Sequence, residues 1–262
     1  MNDDKLGKSE ANEPNVGESL IEGRNPVLEA FRKGATIDKL FILDRSQDGA
    51  ILSIRREAKK HDTMVSFVKK ERLDQLSPTG RHQGVIARVA AYHYVEVADI
   101  LAIAEEKGEP PFILLLDGIA DPHNLGAIIR TANVVGAHGV VIPKNRAVGL
   151  TAAVARASAG AIFHTPVAKV TNLTRTMADL QKEGIWLVCA DMQGTVMYDV
   201  DMTDSVGLVI GSEGEGVSRL VKEKCDHSAA IPMNGEIDSL NSSVAASVLA
   251  YEVRRQRGVR VI

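Results

Sequence analysis

Residues 112–130 read FILLLDGIADPHNLGAIIR: an unbroken apolar run, a polar turn, then the start of an apolar-periodic helix. Five consecutive large hydrophobes leave no polar face, so Phe112–Leu116 reads as a strand covered on both sides. The same grammar recurs downstream. Strand-like runs at Gly139–Ile142, Ile185–Ala190 and Val206–Ile210 alternate with helix-like segments that start at Asn124 and Thr151 and run from Leu240 to Gln256. Strands separated by helices fold as a parallel sheet with helices on both faces, which makes α/β the expected class. Ligands of such sheets gather beyond the carboxyl ends of the strands, so the loops after Leu116, Ile210 and Ile231 are the places to search for chemistry.

Upstream, Lys39–Leu43, Met64–Val68 and Gly84–Ala91 read as strands and Ala50–Lys60 as a helix. They outline a small α/β domain over residues 19–95. Residues 96–110 hold a helix-like stretch closed by Pro110 and Pro111 and are expected to link it to a second domain, 111–262. Residues 1–18 are acidic, poor in large hydrophobes and interrupted by Pro14 and Gly17, a composition expected of a disordered tail.

The 262-residue chain is 45% apolar and 25% charged, which allows two globular domains. It has neither an apolar run near the ~18 residues that span a bilayer nor a signal-like start, so a soluble cytoplasmic protein is expected. Cys189 and Cys225 lack a third partner at ligand spacing, and neither a disulfide framework nor a metal site is expected. The formal charge of -3 is unevenly spread: -3 over residues 1–18, +5 over 19–95 and -5 over 96–262. A basic middle region suits a polyphosphate partner, although Arg55, Arg56, Lys59 and Lys60 could equally form a solvated helix face.

Three loops carry the candidate chemistry. In DGIADPHNLGAIIR (117–130), Asn124 stands where a helix cap belongs. Arg130 lies in an apolar helix with Gly126 and Ala127 one turn back leaving room for it, either as a clamp for an anion or as a solvent-facing residue. In VIGSEGEGV (209–217), glycines allow backbone amides to approach a ligand, yet Glu213 and Glu215 would repel a pyrophosphate. A neutral or cationic ligand suits this loop better, and a plain tight turn is the alternative. In IPMNGEIDSLNSS (231–243), Ser239, Asn241, Ser242 and Ser243 exceed what capping one helix requires, as a polar ligand pocket or a structural polar network would.

Together, NLGAIIRTA, LVIGSEGEGVSRL and IPMNGEIDSLNSSVAASVLAYE resemble the three signature motifs of the SpoU/TrmH family of SPOUT RNA 2′-O-ribose methyltransferases. EGRNPVLEAF and RHQGVIA are similar to phrases of that family's substrate-binding domain, which has a ribosomal-protein L30e-like fold. The resemblance implies a trefoil knot in the carboxyl-terminal sheet, a homodimer and S-adenosyl-L-methionine as cofactor, with no metal. By position it implies cofactor contacts at Gly211, Ile231 and Leu240. It assigns Asn124, Arg130, Glu213, Ser239 and Asn241 to the catalytic constellation. The amino-terminal domain points to the bacterial subgroup that modifies a guanosine of 23S rRNA, with no role for DNA or membrane. A tRNA ribose is the nearest alternative substrate, and a noncatalytic RNA-binding or ribosome-assembly protein is the alternative of another class. A nicotinamide-dependent oxidoreductase is more distant, because GSEGEG lacks the dinucleotide fingerprint. The resemblance departs at Phe163, where the family pattern is acidic.

Overall fold

Two sheets, one of mixed and one of uniform direction, divide the chain. The computed structural model describes residues 19–258 apart from Gly34, Gln47, Asp62, Ala90, Ala91 and Asp238; the tail expected over 1–18 lies outside the described residues. The first sheet is built from β1 (Ser19–Glu22), β2 (Ile37–Leu43), β3 (Met64–Val68) and β4 (Val85–Val89), in the order β1-β4-β2-β3. Only the β2–β3 pair is parallel. Helices α1 (Arg24–Arg32) and α2 (Gly49–Lys60) bury Val27, Phe31, Ile51 and Ile54 against Leu40 and Ile42 on one face. The short α3 (Lys70–Leu76) covers the other face, with Leu73 against Phe41 and Ile86. Asp48 starts α2 by accepting the Ile51 amide at 3.1 Å.

The stretch 96–110, expected as a linker, contains α4 (Val97–Lys107), whose Ile100 and Ala104 are buried. Spacing of i and i+4 puts both on one face, and that face packs on the second sheet. Gly139 accommodates it: a side chain there would begin 2.6 Å from Ile100.

The second sheet has six strands: β5 (Phe112–Asp117), β6 (Gly139–Pro143), β7 (Val167–Val170), β8 (Trp186–Val196), β9 (Val206–Gly211) and β10 (His227–Ala230). Their order is β10-β8-β9-β5-β6-β7 and every pair is parallel, the α/β class expected from the sequence. Helices α5 (Pro122–Val135), α6 (Ala152–Ala157) and α9 (Ser242–Gln256) cover the face of Leu114, Leu116, Leu208 and Ile210. Helices α4, α7 (Leu173–Lys182) and α8 (Arg219–Lys222) lie on the face of Ile113, Leu115 and Val209. Successive side chains of one strand thus feed two cores, which is why FILLL contains no polar residue. Beyond α9, Arg257 donates to the carbonyls of Pro110 and Pro111 at 2.9 and 3.0 Å, tying the chain's last helix to the entry of β5.

Candidate active site

Helix α5 begins with Pro122, and Asp121 caps it by accepting the His123 amide at 3.0 Å. Asn124, expected as the cap, therefore sits one turn inside the helix, because proline at the first helical position with an acidic residue before it is the stronger start signal. Its side chain is buried and free of capping duty. The cap of α9 is Asn241. Its Oδ1 accepts from the Ser243 amide at 2.9 Å, the Ser243 hydroxyl at 2.6 Å and the Val244 amide at 3.3 Å. With the oxygen committed to the helix, the Asn241 amide nitrogen must face the other way. It donates to Asn124 Oδ1 at 3.0 Å and to Glu213 Oε1. Asn124 Nδ2 closes the triangle by donating to the same Glu213 oxygen at 3.1 Å.

Glu213 is delivered by a tight turn after β9, in which Ser212 and Gly216 exchange hydrogen bonds of 3.1 and 3.0 Å. Gly211 allows it: a side chain there would begin 2.0 Å from the Gly216 carbonyl carbon. Gly214 and Gly216, at φ +82° and +67°, supply left-handed backbone. Asp117, at the end of β5, accepts the Ser218 amide at 2.8 Å and anchors the turn to the sheet.

Beside this triangle lies a cavity of about 480 Å³. Gly211, Glu213, Ile231, Ser239, Leu240 and Asn241 line it, all of them singled out in the sequence. Its floor is apolar, made by Ile210, Ala229 and Leu249. Arg130 stands apart: it is exposed on α5 and, among the described residues, makes no hydrogen bond or ion pair. Gly126 does not make room for it. A side chain at Gly126 would begin 2.4 Å from Ala157 and 2.8 Å from the Val154 carbonyl, so this glycine serves the close contact of α5 with α6. Phe163 packs edge-on against Tyr92, with ring centroids 5.2 Å apart.

Ser242, part of the polar surplus noted in the third loop, also lines the cavity, as do Asp191, Met192 and Met233, which sequence reasoning did not assign. Asp191 follows the buried part of β8, so the rule that directed attention to three loop ends would have found it at a fourth. Burial acts to raise its carboxyl, but the bonded Lys222 ammonium and the Gln193 amide outweigh burial and hold it below the usual carboxylate range.

Residues 111–251 match the SpoU rRNA Methylase family, and residues 20–95 match the RNA 2′-O ribose methyltransferase substrate binding domain. The chain belongs to the SpoU/TrmH family of RNA methyltransferases. It is 50% identical over 238 residues to the TrmH family tRNA/rRNA methyltransferase YacO of Bacillus subtilis, covering 90% of this chain and 95% of that protein. A TrmH family tRNA/rRNA methyltransferase of Staphylococcus saprophyticus is 46% identical, with 92% and 96% covered. Among solved structures, the SpoU methyltransferase AviRb from Streptomyces viridochromogenes, in complex with AdoMet, superposes with a TM-score of 0.58 at 28% identity, covering 94% of both chains.

SpoU/TrmH enzymes depend on S-adenosyl-L-methionine, and the cavity fits it on three counts. Its floor suits an apolar ring, the carboxylates of Glu213 and Asp191 suit a positive sulfur, and the buried Ser242 hydroxyl has no partner among the described residues. An orphaned buried hydroxyl costs about 1–3 kcal/mol, a cost that a polar atom of a bound cofactor would relieve.

Proposed function

We propose that the protein transfers a methyl group from S-adenosyl-L-methionine to the 2′-oxygen of a guanosine in 23S rRNA. The observation that carries this reading is the meeting of Asn124, Glu213 and Asn241, one residue from each of three distant loops, beside the cavity. When bound, the cofactor would supply an electrophilic methyl on a positive sulfur, its carbon–sulfur bond breaking as the bond to the 2′-oxygen forms, with neutral S-adenosylhomocysteine as the leaving group and the hydroxyl proton released to water. Every other task falls to the protein, and the main one is alignment, which alone can supply several orders of magnitude in rate.

Gly211, Ile231 and Leu240 would hold the cofactor, while Ser239 and Asn241 shape the acceptor side. Asn124 and Asn241 fix the Glu213 carboxylate in one orientation. Arg130 holds the phosphate next to the target ribose and steadies the negative charge that develops on the 2′-oxygen. It does not act as the base, because a guanidinium offers five N–H donors and no acceptor to take a proton. RNA is selected over DNA because the 2′-hydroxyl is itself the reacting group.

The cationic amino-terminal domain chooses the RNA. Arg55, Arg56 and Lys59 are exposed on α2, and among the described residues no carboxylate pairs with them. Arg55 lies 5.3 Å over the exposed ring of Phe67, a surface on which a nucleobase can stack. The functional unit is a homodimer. Val134 on α5 and Val244 and Tyr251 on α9 are exposed on two helices joined by a 2.7 Å hydrogen bond between Thr131 and Ser247, which leaves apolar surface for a second copy. The carboxyl-terminal sheet is knotted as in the family, and the enzyme works in the cytoplasm. No helix of the described residues is long and apolar enough to cross a membrane.

A tRNA ribose is the second reading, favoured by the tRNA/rRNA names of the relatives. Mapping 2′-O-methyl groups across total RNA from a strain lacking the gene separates the two. Loss of one 2′-O-methylguanosine from 23S rRNA is expected; loss from a tRNA would favour the second reading, and an unchanged map would refute both.

A further inference from the structure

The two domains meet at a buried polar joint. Asp38 on β2 belongs to the amino-terminal domain and is 8% exposed, yet its partners lie elsewhere. Lys169 on β7 donates to Asp38 Oδ1 at 2.5 Å, and the hydroxyl of Tyr94, in the connection between domains, donates to the same oxygen at 2.9 Å. That hydroxyl also accepts the Leu150 amide at 2.8 Å, and the Lys169 ammonium stands 4.9 Å over the Tyr94 ring. Gly149 completes the fit. A side chain there would begin 2.7 Å from Asp38 Oδ2 and 2.9 Å from the Tyr94 hydroxyl.

The connection itself is laid down on the second domain. Val95 donates to the Val167 carbonyl at 3.0 Å and bridges to Ala168, while Tyr92 is buried in the core of that domain with Phe163 against its ring. The joint also reaches the site's own framework. Leu150 ends the loop between β6 and α6, and from the same loop Val148 donates to the Ile119 carbonyl at 3.0 Å, in the segment that leads into α5 and Asn124. The substrate-binding domain is therefore docked on β7, one edge strand of the second sheet, while the cavity lies toward the other edge, at the ends of β8, β9 and β10.

An ion pair this enclosed adds little to stability, because losing water offsets most of the attraction between the charges. It does add direction. Apolar contacts tolerate sliding, whereas a carboxylate oxygen shared by an ammonium and a phenol keeps both bonds in one arrangement, here with Asp38 Oδ2 left buried and without a partner among the described residues. We propose that Asp38 is a positioning residue for the reaction: through Lys169 and Tyr94 it fixes the substrate-binding domain at one set position on the second sheet, so that RNA held there reaches the cavity at high effective concentration. This rests on the RNA-methylation reading above. Two domains on a free tether would present the same surfaces at lower effective concentration, so loss of the joint should appear in KM for RNA.

The test uses the full-length protein with Asp38→Asn, Lys169→Met, both together, and Tyr94→Phe. KM and kcat for 23S rRNA, the calorimetric Kd for S-adenosyl-L-methionine and the small-angle scattering profile are measured for each. Each charge variant is expected to raise KM about tenfold, with kcat within about twofold, cofactor affinity unchanged and a broadened scattering profile. The double variant should be no worse than the worse single one, as partners of one interaction require. Tyr94→Phe removes one oxygen and keeps the ring, so it serves if a charge variant fails to fold; about a threefold rise in KM is expected. Wild-type KM and scattering in Asp38→Asn and Tyr94→Phe would overturn the proposal, as would single effects that multiply in the double variant. If wild-type protein methylates no RNA, the functional reading fails, while the scattering profiles still decide whether Asp38 holds the domains.

Discussion

Asn241 does two things with one carboxamide, and the first dictates the second. Its oxygen caps α9, so its nitrogen turns to Asn124 and Glu213. Serine at this position would retain a capping oxygen and lose both amide hydrogens. Asn241→Ser is therefore expected to cost less than about 1 kcal/mol of stability by thermal denaturation. Methyl transfer should fall on the order of 10²-fold, the usual effect of removing one preorganised donor from a reaction centre. A variant that loses stability and activity together would make Asn241 a structural cap only. Residues of this kind are legible in sequence as chemistry but not as geometry. Glu213, Ser239 and Asn241 stood out because acids and amides crowd glycine-rich loops, whereas the burial of Asn124 and the solvent exposure of Arg130 follow from the pitch of α5.

Elements were readable in proportion to how strongly their own side chains demanded burial. Phe112–Leu116 and Val206–Ile210 could only be covered strands, and Met64–Val68 has the same bounds in structure and in sequence. By contrast β10, His227–Ala230, contains no large hydrophobe, and its extension comes from pairing with β8. Helix α7 alternates apolar and charged residues at helical period, yet four residues in ten are charged or amide, which hides it beside louder runs. His138 shows a contact that no local pattern announces. Buried just before β6, it accepts the Phe112 amide on Nδ1 at 3.0 Å, with Nε2 3.2 Å from Glu109, and so joins the starts of β5 and β6. Burial lowers its pKa despite the nearby Glu109, which favours the neutral ring in the folded state. A depressed folded value means that the unfolded chain takes up its proton first. Stability from this group is then complete above the ordinary histidine pKa of about 6.5 and is lost as pH falls below it, by at most ~1.4 kcal/mol per pH unit. His138→Asn keeps an acceptor and cannot titrate, so its melting temperature should fall less between pH 7 and pH 5 than that of the parent. Identical slopes would remove His138 from the acid sensitivity.

At the scale of the molecule, a near-neutral total charge hides an uneven distribution. The net charge of +5 over residues 19–95 was visible in the sequence, but whether α2 was solvated or cationic for a purpose depended on whether acids lay opposite it. Among the described residues none does for Arg55, Arg56 or Lys59. Replacing all three with glutamine should weaken RNA binding and flatten its dependence on salt, by about 0.7 in the log–log slope for each single-strand phosphate that is no longer neutralised. Cofactor affinity should not change. An unaltered salt slope, measured by fluorescence anisotropy from low to moderate salt, would return α2 to the role of a solvated surface. The docking of the two domains was not legible at all, because Asp38 and Lys169 are 131 residues apart and each looks like an ordinary surface charge in its own strand.

The measurement closest to the centre of this account is direct. Purified protein is incubated with isotopically labelled S-adenosyl-L-methionine and unmodified 23S rRNA, and the digested nucleosides are read by mass spectrometry. One labelled 2′-O-methylguanosine per RNA is predicted, lost in Asn241→Ser. Label on a base, or none on the RNA while the protein binds the cofactor, would contradict it.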